Sequence, residues 1–132
     1  MPYLLDTNIL SGIITNPRGT AARRLAKEDD ASVLTSIIVA AELRFGAAKR
    51  ASRRLTDRVE GLLARIPIEP LAPPADEHYG KLRAALETSG RQIGASDLFI
   101  AAHALALQCT LVTANEREFA RVLGLRVENW LR

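Results

Sequence analysis

Short strand-like runs at residues 3–5, 33–35, 110–112 and 126–128 recur along this chain, separated by much longer segments with helical periodicity. This alternation constrains the fold more than any other feature. Strands separated by helices pair in parallel, because the helix carries the chain back across the sheet before the next strand begins. Helical patterns fall at residues 7–14, 20–28 and, after a capping Ser36, to about 50. A further helix over residues 52–66 places Leu55, Val59, Leu62, Leu63 and Ile66 on one face. Helices at residues 75–89, stopped by Gly90, and at 116–123 complete the pattern. One more, from Ser96 or Asp97 to Gln108, is apolar on every side except at His103, so it must be buried. The pattern predicts an α/β fold with a small parallel sheet and helices on both faces. The proline-rich residues 67–74 suit an edge strand or a connection, not a central strand, and read as a local connection instead of a domain boundary.

At 132 residues the chain is expected to form a single domain spanning 1–132, long enough to bury a core without a disulfide or metal staple. Its 48% hydrophobic and 25% charged residues exclude a disordered or fibrous chain. A lone cysteine, Cys109, rules out an internal disulfide and a cysteine zinc cage. No charged and apolar leader pattern opens the sequence, and the apolar run at 98–107 is about half the length that spans a bilayer, so a cytoplasmic location with no membrane partner is expected. Net charge is +3, with arginine far outnumbering Lys27, Lys49 and Lys81. The guanidinium fork suits phosphate, although an Ala- and Arg-rich chain also follows from genomic base composition.

Ligands of open parallel sheets bind beyond the carboxyl ends of the strands. Asp6 stands at the end of the first strand, and Thr113 to Glu118 follow the strand at 110–112. Asp97 opens a helix at the same edge, and Glu42 leans back toward it from within its own helix. Each acid also has a local explanation. Asp6 suits the N-cap of the helix beginning at Thr7, and Asp97 suits a helix dipole. Asn115 and Glu118 have the spacing of a capping box. Glu42 shares its helix face with Ile38 and Phe45, where a carboxylate needs a partner, a metal or an ion pair with a distant arginine. His103 lies about 240° around the helix from Asp97 and reads as a core polar group or an interface contact. The basic junction Lys49-Arg50-Ala51-Ser52-Arg53-Arg54 is either a solvated corner or an RNA backbone contact.

Four blocks, in order from end to end, carry a family resemblance. They are Leu5-Asp6-Thr7-Asn8-Ile9-Leu10; Ala41-Glu42-Leu43-Arg44-Phe45-Gly46-Ala47; Arg91-Gln92-Ile93-Gly94-Ala95-Ser96-Asp97 with Ile100-Ala101-Ala102-His103-Ala104; and Leu111-Val112-Thr113-Ala114-Asn115-Glu116-Arg117-Glu118-Phe119 with the closing Gly124 to Trp130. Together they resemble the PIN-domain ribonucleases, and among these the VapC toxins of bacterial toxin–antitoxin pairs. The resemblance implies a PIN-like three-layer α/β/α sandwich with a small, mostly parallel central sheet. It implies a metal-dependent endoribonuclease whose first three acids are Asp6, Glu42 and Asp97. Asn115 supplies no carboxylate, so Glu118 is assigned the fourth position, with Glu116 as a weaker substitute. Thr7, Asn8, Thr113 and Asn115 are then neighbours of the site. Arg18, Arg44, Arg50, Arg53 and Arg54 are candidates to hold RNA. Also implied are a cognate VapB-like antitoxin, a homodimer, and structured RNA such as transfer RNA as substrate.

The chemistry agrees with that implication. Each pair of ionised carboxylates about 5 Å apart costs on the order of 3 kcal/mol at an effective dielectric near 20, a repulsion a divalent cation reverses. Hard oxygen donors suit Mg²⁺, with Mn²⁺ as a substitute. Asp6 and Asp97 are the expected direct ligands, and Glu42 and Glu118 the groups acting through water or a second ion. Two other classes compete: a non-enzymatic binding module whose acids are caps and ion pairs, and a phosphotransfer domain with Asp6 as nucleophile. The second wants another acid two residues later, where this chain has Asn8.

Overall fold

The computed structural model describes residues 1–132. Strand β1 (Tyr3–Leu5) leads directly into helix α1 (Thr7–Thr15), then α2 (Thr20–Lys27) and a 3-10 turn at Asp30–Ser32. Strand β2 (Val33–Ser36), helices α3 (Ile37–Arg50) and α4 (Arg53–Leu63), and strand β3 (Ile68–Glu69) follow. Helices α5 (Ala75–Thr88) and α6 (Ala95–Ala106), strand β4 (Thr110–Val112), helix α7 (Glu116–Phe119) and strand β5 (Val127–Glu128) complete the chain.

The five strands lie in the order β3-β2-β1-β4-β5, with every neighbouring pair parallel. Leu4 pairs with Leu34 on one side and Leu111 on the other, and β1 is the central strand. Leu4, Leu5, Leu111 and Val112 are fully buried, as a strand covered by helices on both faces requires. The predicted parallel sheet is therefore correct. Within residues 67–74 the edge-strand alternative applies to two residues, since Ile68 and Glu69 pair with Thr35 and Ser36 at the end of the sheet. The flanking Pro67 and Pro70 lack an N–H, which confines so short a strand to the sheet edge.

Local chemistry sets the helix boundaries. Ser36 Oγ accepts from the Ile38 N–H at 3.0 Å and starts α3, while Ser52 Oγ accepts from the Leu55 N–H at 3.1 Å and starts α4. Gly90 ends α5 at φ +68°, a conformation that costs glycine little, and the Arg91 N–H closes onto the Leu86 carbonyl at 2.8 Å. Helix α6 is buried as its composition requires, with Leu98, Ile100, Ala101, Ala102, His103 and Ala104 all out of solvent. No helix is long and apolar enough to cross a membrane. Helix α7 is shorter than the predicted 116–123, because residues beyond Phe119 pass into turns toward Gly124 at φ +82°.

Phe119 anchors this short helix, fully buried in the same core as Leu111 and Trp130. Phe119→Ala should cost about 3–5 kcal/mol in a denaturant melt, through lost burial and the cavity left behind. Leu123→Ala, at a side chain 88% exposed, should stay within about 0.5 kcal/mol of the parent.

Candidate active site

The carboxyl ends of β1, β2 and β4 form a polar edge above the apolar core. Asp6 lies immediately after β1 and is 2% exposed, held there by the hydrogen bond from its own N–H to the Val112 carbonyl at 2.9 Å. Its Oδ1 accepts the Thr7 N–H at 2.7 Å, so the capping role predicted for it is real. Its Oδ2 accepts the Thr113 hydroxyl at 2.7 Å, with the Asn8 amide at 3.5 Å. Asp6 is therefore both a cap and a buried, oriented acceptor.

The neighbours brace the same edge. Asn8 Oδ1 accepts the Ala114 N–H at 2.9 Å, and Thr113 Oγ1 accepts the Asn115 N–H at 3.0 Å, tying α1 to the loop after β4. Thr7 Oγ1 donates to Glu42 Oε1 at 2.8 Å, which draws the α3 carboxylate to the start of α1. Thr35, buried at the end of β2, donates to the Leu5 carbonyl at 2.7 Å and secures the strand end that delivers Asp6. Thr7, Asn8 and Thr113 thus join the site through their side chains, and Asn115 only through its backbone.

Two local expectations do not hold. Asn115 makes no side-chain cap, and Glu118 does not reach back to close a capping box. Glu118 Oε1 instead accepts the Gly94 N–H at 3.2 Å, bridging α7 to the residue before α6. This contact comes from a backbone amide, so no side-chain pattern announces it. Phe45 does not share a covered face with Glu42, since its ring is 67% exposed and lies 5.9 Å from the Lys49 ammonium.

Electrostatics separates Glu118 from Glu116. Glu116 is paired with Arg132 and bonded by Asn129 at 3.2 Å, so its carboxyl is held below its usual range. Glu118 presses instead on Asp97 and Asp6. The Asp97 carboxyl is pushed up to about 7 by burial first, then by the charges of Glu118, Asp6 and Glu42 and a contact with Glu118 that needs a shared proton. A carboxylate governed by the helix dipole would shift the other way. Asp6 is raised as well, chiefly by burial, despite the donors from Thr113 and Thr7 that oppose the shift. None of the four acids forms an ion pair; the five ion pairs of the molecule involve Glu28, Glu128, Glu60, Glu87 and Glu116. The four also do not close in tightly enough for three of them to ring a metal ion.

The arginine candidates are dispersed. Arg44 is committed to Glu60 through two bonds of 2.9 Å. Arg50 lines a groove between α1, α3 and α4 that opens at Thr7 and Glu42 and passes Gly46. Arg53 and Arg54 are exposed at the start of α4, whereas Arg18 follows the far end of α1 from Asp6.

Comparison with known proteins agrees with this arrangement. The PIN domain family profile matches residues 3–125. Ribonuclease VapC2 of Haemophilus influenzae is 37% identical over 132 residues, covering 99% of each chain. The tRNA(fMet)-specific endonuclease VapC of Shigella flexneri is 35% identical over 131 residues, covering 98% of each. Among solved structures, VapBC2 from Rickettsia felis bound to a DNA fragment from their promoter superposes with a TM-score of 0.90 at 36% identity, covering 98% of this chain and 99% of that one. VapBC-1 from nontypeable Haemophilus influenzae matches over all of both chains with a TM-score of 0.86 at 34% identity. With its three-layer α/β/α architecture and acidic sheet edge, the chain belongs to the PIN-domain family and, within it, to the VapC ribonucleases.

Proposed function

We propose that this protein is a divalent-metal-dependent endoribonuclease, the toxin of a toxin–antitoxin pair, and that Asp6, Glu42, Asp97 and Glu118 carry the reaction. The observation behind the reading is the meeting of four acids from four separate elements at one sheet edge, with no cation paired to any of them. A set of ion pairs would instead have found cationic partners. Transfer RNA is the proposed substrate class, in keeping with the name of the Shigella relative. A VapB-like antitoxin is the proposed partner, and a homodimer the proposed assembly. An apolar groove lined by Leu71, Pro73, Tyr79 and Phe99 offers a second copy a surface to cover.

The donors fit a hard divalent ion: all are carboxylate oxygens, and no side-chain cation offsets their mutual repulsion. Magnesium usually takes one or two protein carboxylates and keeps water for the rest, which suits four acids that do not ring a common point. Asp6 and Asp97 would hold Mg²⁺, or Mn²⁺ in its place. When bound, the ion polarises a phosphodiester oxygen and lowers the pKa of water. Asp6 is pre-oriented for this role by Thr7 and Thr113, and Glu42 by Thr7. Glu42 or Glu118 orients the attacking water and takes its proton. Water attacks phosphorus, the bond to O3′ breaks, and the leaving oxygen takes up a proton. Arg50, Arg53 and Arg54 are placed to hold the RNA backbone, and Arg44 serves there only by leaving Glu60.

Cleaved RNA should carry 5′-phosphate and 3′-hydroxyl ends, formed with Mg²⁺ and absent in chelator. Mapping the new ends after incubation with total RNA tests this, and 2′,3′-cyclic phosphates would refute the mechanism.

Asp97→Asn should lower cleavage about a hundredfold or more. In chelator the same variant should be more stable than the parent at pH 8. The folded-state pKa of Asp97 lies above its ordinary 3.8, so its contribution to stability is full below that value and is lost as pH rises through about 7. Because the carboxyl is only half-buried and solvent screens the repulsion, the gain at pH 8 should be about 1–2 kcal/mol, vanishing near pH 4. Thermal melts across that range measure it, and a large loss of stability in Asp97→Asn would mean a structural cap.

A further inference from the structure

His103 stands outside the acid cluster, yet it is 1% exposed and among the most deeply buried side chains. It sits six residues after Asp97 on α6 and leaves the helix on another side. Its Nδ1 lies 2.8 Å from Ser36 Oγ, across 67 residues of sequence. The same Oγ accepts the Ile38 N–H at 3.0 Å as the cap of α3, the helix that carries Glu42. One hydroxyl therefore joins the start of α3 to the last turn of α6.

With the Ser36 hydroxyl donating to Nδ1, the ring hydrogen sits on Nε2, the nitrogen nearer the Pro70 carbonyl. Burial pushes the ring pKa below its usual value and keeps the imidazole neutral. Nε2 is left without a hydrogen-bond partner of good geometry, although the Pro70 carbonyl lies close enough to favour a ring proton. Burying such a nitrogen carries a desolvation cost that an apolar side chain of similar volume would avoid. The clip to Ser36 supplies the reason for a polar ring, because the two helices it joins carry acids that repel one another.

We infer that His103 is a positioning residue for the nuclease reaction: through Ser36 it locks α6 against the capped start of α3 and so fixes the spacing of Asp97 from Glu42. The inference rests on the nuclease reading above. A residue that only filled the core would influence stability, whereas one that sets the spacing of the acids influences metal affinity and turnover in molecules that remain folded.

The test is Mn²⁺ titration calorimetry beside single-turnover RNA cleavage, on wild type, His103→Leu, His103→Asn, Ser36→Ala and the His103→Leu/Ser36→Ala double variant. All are measured well below their melting temperatures. His103→Leu and Ser36→Ala should each weaken Mn²⁺ binding and slow cleavage about tenfold, the scale seen when outer partners of metal ligands are removed, with KM for RNA within about twofold. The double variant should lose no more than Ser36→Ala alone, since that substitution already removes the His103 bond together with the Ile38 cap. His103→Asn, which keeps a polar atom near Nδ1, should recover most of the loss. Folded variants with wild-type Mn²⁺ affinity and rate would overturn the inference, as would additive losses in the double variant. If His103→Leu does not fold, Ser36→Ala and His103→Asn test the same bond, and wild-type behaviour in Ser36→Ala overturns the inference by itself. Failure of the wild type to bind Mn²⁺ or cut RNA would instead sink the nuclease reading, and this inference with it.

Discussion

Like charge confined to one sheet edge is the constraint around which this molecule is arranged. Asp6, Glu42, Asp97 and Glu118 come from the end of β1, from α3, from the first turn of α6 and from α7, and no arginine or lysine pairs with any of them. Such an edge is tolerated because the apolar layers below it are continuous. The fully buried Leu4, Leu5, Leu111 and Val112 hold β1 and β4 together, while Ile100, Ala101 and Ala104 seat α6 against the core. The stability of the core thus offsets the electrostatic cost of the site.

A frame of short hydroxyl and amide bonds fixes the acids in place. Thr113 and Asn8 tie the loop after β4 to Asp6 and α1, Thr7 ties α1 to Glu42, and Thr35 ties β2 to the end of β1. These donors partly offset the burial of Asp6 without neutralising its charge. The Ser36–His103 bond has the same character one layer deeper, linking the two helices whose acids repel. Polar groups at this edge act as struts, each joining two elements that the apolar core alone would leave free to shift.

Most of the architecture was legible because the signals were local and repeated. Each short apolar run had to be a strand, each periodic stretch a helix, and the strand–helix order left a parallel sheet as the solution. Ser36 was recognisable as a cap, and the all-apolar α6 as a buried helix. The prolines of residues 67–74 left an edge strand or a connection open, and the extent of β3 and its pairing with β2 were not legible, because that pairing is a tertiary event without a sequence period. The boundary of α7 was missed because continued apolar spacing past Phe119 gives way to a glycine turn.

The order of residues alone pointed to the carboxyl edge as the place where the acids gather, because a parallel sheet puts every strand end and every following helix start on the same side. It also settled that Asn115 offers no carboxylate there. Glu116 and Glu118 are told apart only in three dimensions. Two residues apart on a single helical turn they face in different directions, and Glu116 meets Arg132 while Glu118 meets Gly94 and Asp97. Long-range packing likewise fixed the fate of the arginines and of His103, since what a charged or polar side chain does depends on which distant group the fold brings within a few ångströms.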